Sequence, residues 1–64
     1  MFYVIRDRQT GQYFRDGEID SEYGPYQQAE QFNGPPYWFL KVLKRLEPTH
    51  DLHIVGPCIE SEEP

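Results

Sequence analysis

The sequence predicts a small two-layer α+β domain, with a three-stranded antiparallel sheet covered on one face by two helices in the order β-β-α-α-β. Three observations predict it. Residues 2–6 (Phe-Tyr-Val-Ile-Arg) are β-branched and aromatic and run into turn chemistry. Residues 37–47 repeat their apolar positions at helical spacing. A short apolar run, Leu52-His53-Ile54-Val55, closes the chain. With 64 residues, two layers around one core are the simplest arrangement. A chain of about this length buries only ~60% of the surface it exposes when unfolded. Nearly every large apolar side chain is therefore needed inside, and little is left for a deep cofactor pocket. Length excludes a nucleotide-binding crossover domain, and no run of ~18 apolar residues could cross a membrane. One domain over residues 1–59 with an acidic tail at 60–64 is expected.

Residues 7–11 (Asp-Arg-Gln-Thr-Gly) carry turn residues, and Gly11 tolerates a positive φ. Residues 12–15 then return as a second strand, giving a hairpin with a three- to five-residue loop. Residues 16–25 read as a loop, marked by Asp16-Gly17 and Gly24-Pro25, with Ile19 as an apolar plug. Pro25 suits the first position of a helix covering Tyr26 to Phe32, on which Tyr26, Ala29 and Phe32 share a face. Asn33-Gly34 stops it. The second helix places Trp38, Phe39, Val42, Leu43 and Leu46 on its core face and Lys41, Lys44, Arg45 and Glu47 opposite. Pro48 ends it. Gly56-Pro57 interrupts the third strand, which Cys58-Ile59 can resume at an edge beside the first or second strand. Strands one and two carry large apolar groups on both faces, so the face without helices is a candidate contact surface for a partner or a second copy of the chain.

The net charge of −5 argues against general affinity for nucleic acid or anionic membrane and favours solubility and basic protein partners. From Asp16 to Glu30 the acids are Asp16, Glu18, Asp20, Glu22 and Glu30, with no base among them; Glu60, Glu62 and Glu63 follow in the tail. The bases form two groups, Arg6, Arg8 and Arg15, then Lys41, Lys44 and Arg45. A single cysteine, Cys58, permits no internal disulfide and fits a reducing cytoplasm. No basic segment precedes an apolar stretch, so no secretory leader is expected.

Several constellations invite chemistry. His50, Asp51, His53 and Cys58 are metal-ligand types, but their spacing matches no zinc site, and a solvated turn entering a strand explains them. Cys58 with a histidine lacks an orienting third group, so no catalytic site and no cofactor are predicted. The alternating acids of 16–22 do not fit a calcium loop, whose glycine and terminal acid fall elsewhere. An extended row of carboxylates two residues apart repeats every ~6.5–7 Å, near the phosphate spacing of one nucleic-acid strand. Tyr3, Tyr13, Phe14, Tyr23, Tyr26, Tyr37 and Trp38, with Arg6, Arg8 and Arg15, could stack bases of a single strand, although the net charge opposes it.

The hairpin Tyr-Val-Ile-Arg-Asp-Arg-Gln-Thr-Gly-Gln-Tyr, the Ala-Glu-Gln-Phe segment and the closing Leu-His-Ile-Val resemble small bacteriophage and prophage accessory proteins over residues 2–56. The resemblance lies in fold residues and carries no catalytic group. It implies a phage-type, anti-CRISPR-like inhibitor acting in the cytoplasm of a bacterial host by binding a defence or nucleic-acid-processing complex. The expected contact is Asp16, Glu18, Asp20, Glu22 and Glu30 facing a basic surface, anchored by Tyr23 and Tyr26. The alternatives are a homodimeric structural or regulatory phage protein and a single-stranded nucleic-acid binder.

Overall fold

Alternation along residues 2–7 sets the two sides of the sheet. The structure is a computed structural model that describes residues 1–16 and 22–59. Strand β1 (Phe2–Asp7) is central, flanked by β2 (Tyr13–Asp16) and β4 (Leu52–Cys58), with β3 (Glu22–Gly24) beyond β2. All pairings are antiparallel, in the order β3-β2-β1-β4. Ile5, Phe14 and Leu52 face one helix, α1 (Tyr37–Leu46), and form the core with its Leu43. Each is at most 3% exposed.

The coarse α+β class stands, with two corrections. First, the described residues form four strands, because Glu22–Gly24 pairs with β2 inside the stretch read as loop. Three residues with one apolar side chain show no period of two. Second, the described residues hold one α-helix. The helix expected over Tyr26–Phe32 is a single 3-10 turn, Tyr26–Gln28, ended by Ala29 at φ −64°, ψ 141°. Its first residue has no side-chain cap, and so short a segment does not meet the cost of helix nucleation.

Residues beyond that turn are recruited to the sheet instead. The backbone N–H of Glu30 donates to the Phe14 carbonyl (3.0 Å), and Phe32 exchanges two bonds with Tyr3 (2.8 and 2.9 Å). Residues 30–32 thus take the place along β1 that β2 leaves as the hairpin splays. Phe32 reaches the helix side, where its ring meets Phe39 at 5.5 Å. Tyr26 lies on the other side, edge-on to Tyr13 at 5.3 Å. On that side of the sheet Phe2 is 7% and Val4 0% exposed, so neither stands open as expected.

The third expected strand runs through Gly56-Pro57, a cis peptide, and lies beside β1. Gly56 sits at φ 148°, and a Cβ there would stand 2.6 Å from Tyr3 Cδ2. Only glycine fits under that ring. Ile19, Glu18, Asp20, Glu60, Glu62, Glu63 and the rest of the expected tail lie outside the described residues. No helix among the described residues is long and apolar enough to cross a membrane.

Candidate functional site

Two polar-aromatic sites stand out, one closed and one open. The closed site begins at Asp7, which is fully buried at the end of β1. Its carboxylate accepts from the backbone N–H groups of Gln9 (2.9 Å) and Asp51 (3.2 Å), from Thr10 Oγ1 (3.3 Å) and from His50 Nδ1 (2.5 Å). Burial raises the proton affinity of this carboxyl. The hydrogen bonds from His50, Gln9 and Asp51 and the attraction of His50 outweigh it, so its pKa lies below the ordinary carboxylate value. His50 Nε2 is 3.6 Å from Glu47, and its ring stacks on Tyr23 at 4.6 Å and 19°. Burial, then the charges of Glu47 and Asp7, push the Tyr23 phenol up to about 12. The Tyr23 hydroxyl is buried and has no partner among the described residues.

The closed site joins the 7–11 turn to the segment after α1. Asp7 caps its own turn through Gln9 and Thr10 and holds the 47–51 segment through His50 and Asp51. The imidazole is oriented by a carboxylate, as in hydrolytic dyads, but no serine or cysteine among the described residues is bonded to it. Cys58 lies at the opposite end of β4, its thiol directed to the Val55 carbonyl at 3.8 Å. Among the described residues no three of His, Cys, Asp and Glu gather as metal ligands. Sequence reasoning missed Asp7 and His50 as partners. The signal was Asp7-x-Gln9-Thr10 as an aspartate-capped turn; the His50 contact, 43 positions away, has no local trace.

The open site is the outer face of α1. Its inner face was expected to carry Trp38, Phe39, Val42, Leu43 and Leu46. Instead Phe39, Leu40 and Leu43 pack on the core, while Trp38 is 76%, Tyr37 71% and Leu46 46% exposed. The Phe39 ring is caught between Phe14 (5.3 Å) and Phe32 (5.5 Å), which fixes the rotation of the helix about its axis. Trp38, Lys41, Val42 and Arg45, spaced i, i+3, i+4, i+7, then line a shallow surface depression. Lys44 and Arg45 occupy the last turn, where cations complement the helix dipole. Glu47 closes the helix through its N–H to the Leu43 carbonyl (2.8 Å).

The residues expected to bind a partner do not form one surface. Tyr23 is half-buried against the core rather than an exposed anchor. Glu22 is exposed but paired with Arg15 at 3.0 Å. Asp16 is exposed and has an interaction of its own. Glu30 and Tyr26 are exposed, Tyr26 at 44%, with its pKa raised first by the neighbouring Cys58 thiol. Glu18 and Asp20 lie outside the described residues. No protein-family model, curated protein or solved structure matches the chain.

Proposed function

We propose that the chain is a non-enzymatic binding protein whose contact surface is the outer face of α1 and whose partner presents an acidic protein surface. One observation carries the reading: Trp38 stands 76% exposed in a depression whose other walls are Lys41, Val42 and Arg45. In a domain this short, an exposed tryptophan is apolar area withheld from the core. Tryptophan, tyrosine and arginine are the residues that most often dominate binding energy when a partner buries them. Lys41, Lys44 and Arg45 are half of the chain's six cations, so the local charge is opposite to the net charge.

The sign of the partner follows from range. At physiological salt the Debye length is about 8 Å, so a partner seated on α1 meets the three cations more strongly than the acids elsewhere. A nucleic acid fits less well, because it carries one charge per ~1.7 Å of duplex and extends past the helix into the field of a chain of charge −5. Inhibition of a bacterial defence or nucleic-acid-processing complex, the role the phage resemblance implies, then works by covering an acidic surface rather than by imitating nucleic acid in a basic groove.

The test is retention of a partner from a bacterial lysate by tagged wild type, Trp38→Ala, Arg45→Ala and Glu30→Gln. The reading expects a partner lost at high salt, lost with Trp38→Ala, weakened with Arg45→Ala and kept with Glu30→Gln. A partner kept by Trp38→Ala and lost with Glu30→Gln would return the contact to the acidic side and overturn the reading.

A further inference from the structure

We propose that Arg6, Arg8 and His53 form a binding site for a phosphate-type oxyanion on the side of the sheet opposite α1. The register of the ladder brings the three together. Arg6 and His53 are direct cross-strand partners on β1 and β4, so their side chains leave the same face. Arg8 lies two residues beyond Arg6, and its N–H continues the ladder to the Asp51 carbonyl at 2.9 Å, which puts its side chain on that face too.

The guanidinium of Arg6 is held in place. Its carbon lies 5.9 Å from the centre of the Tyr13 ring, and its terminal nitrogen approaches Gly11, where a Cβ would be 3.6 Å away. Among the described residues neither Arg6 nor Arg8 has a carboxylate within ion-pair distance, although Arg15 and His50 each do. Asp51 is the acid that faces the group, opposite Arg8 in the ladder. Cations side by side repel one another, and among the described residues Asp51 is the acid whose charge opposes theirs at His53.

His53 shows the consequence. Burial, then the charges of Arg8 and Arg6, depress its pKa, and Asp51 opposes them only in part. Its Nε2 is buried without a hydrogen-bond partner among the described residues. A buried polar atom of this kind is met by an ordered water or an ion. Two guanidiniums and an imidazole suit a tetrahedral dianion, since each guanidinium can present two N–H groups to a pair of oxygens. A free phosphate and the phosphate of a nucleotide share this chemistry.

The experiment tracks the His53 ring protons by NMR across a pH titration. It is run with inorganic phosphate, with a nucleoside monophosphate, and with acetate or chloride at matched ionic strength. The site predicts a saturable phosphate response that raises the His53 midpoint by about one unit, abolished in Arg8→Gln and in Arg6→Gln but unaltered in Lys44→Gln. Asp51→Asn, which removes the opposing carboxylate, tightens binding. Equal saturation by phosphate and nucleotide marks the phosphoryl group as the whole ligand; tighter nucleotide binding adds a base stacked on the Tyr13 or Tyr26 ring. An identical, unsaturable response to phosphate, acetate and chloride means screening only and overturns the proposal. Arg8 is exposed, so its variant keeps the test valid should Arg6→Gln unfold.

Discussion

Trp38 and Phe39 are neighbours in the chain, yet the Phe39 ring is wedged between Phe14 and Phe32 while Trp38 is 76% exposed among cations. The two faces of α1 therefore differ in what they do. The inner face, with Phe39, Leu40 and Leu43, closes a core that a chain of this length can barely fill. The outer face leaves Tyr37 and Trp38 in solvent, beyond the needs of that core. Hydrophobicity alone does not separate these faces. Ring-to-ring contacts across the sheet do.

The largest expected effect lies on the closed side. Asp7→Ala removes a buried carboxylate that holds His50 and two backbone N–H groups. It should cost about 3–5 kcal/mol, the range for removing one partner of a pair whose carboxylate is fully buried. Because the folded-state pKa of Asp7 is depressed, its stabilisation is present above the unfolded value near ~3.9 and is lost as pH falls through the folded value. Asp7→Asn should flatten that acid limb in urea titrations. An acid limb unchanged in Asp7→Asn would break the assignment.

Leu43→Ala comes next, at about 2–5 kcal/mol, because Leu43 is 1% exposed at the centre of the core cluster. The core of a chain this short rarely supplies more than ~3–5 kcal/mol, so this variant should be partly unfolded at room temperature by circular dichroism. A fully folded Leu43→Ala would mean that α1 packs on the sheet through another face.

Tyr23→Phe is smaller and of opposite sense. It deletes a buried hydroxyl without a described partner and should be neutral or stabilising, within about 1 kcal/mol. The Tyr23 pKa is raised to about 12, so its contribution is complete below the unfolded value of ~10 and is lost as pH climbs toward 12. Tyr23→Phe should remove that part of the alkaline decline, which thermal melts at stepped pH can measure. A clear destabilisation at neutral pH would show that the hydroxyl is bonded after all.

The fold was legible where one short-range rule governs. The hairpin of β1 and β2, the span of α1 and the run of β4 follow from alternation, periodicity and turn residues. The failures share a cause. Residues 26–32 have weak helical spacing, but the backbone of Glu30 and Phe32 meets stronger demand from Phe14 and Tyr3 along a splayed hairpin. The strand at Glu22–Gly24 is too short to show a period. Trp38 fits the apolar stripe as well as Leu40 does in one dimension, and only the clamp on Phe39 decides which turns inward. The candidate sites were not legible: the sequence set Trp38 on the core face, Asp7 and His50 lie 43 positions apart, and the Arg6–His53 pairing depends on a register that no local pattern fixes.

The smallest effect on stability belongs to Trp38→Ala, within about 0.5 kcal/mol, and the most direct measurement uses the same residue in the native chain. Trp38 is the single tryptophan, so its fluorescence reports on the outer face of α1 alone. Quenching by iodide and by caesium should be compared at low salt. The account predicts emission near that of tryptophan in water, with an iodide-to-caesium quenching ratio above that of an uncharged tryptophan amide despite the net charge of −5. The preference should fall when Lys41 and Arg45 are replaced by glutamine. Blue-shifted emission that neither ion quenches until the protein unfolds would place Trp38 in the core and contradict the account.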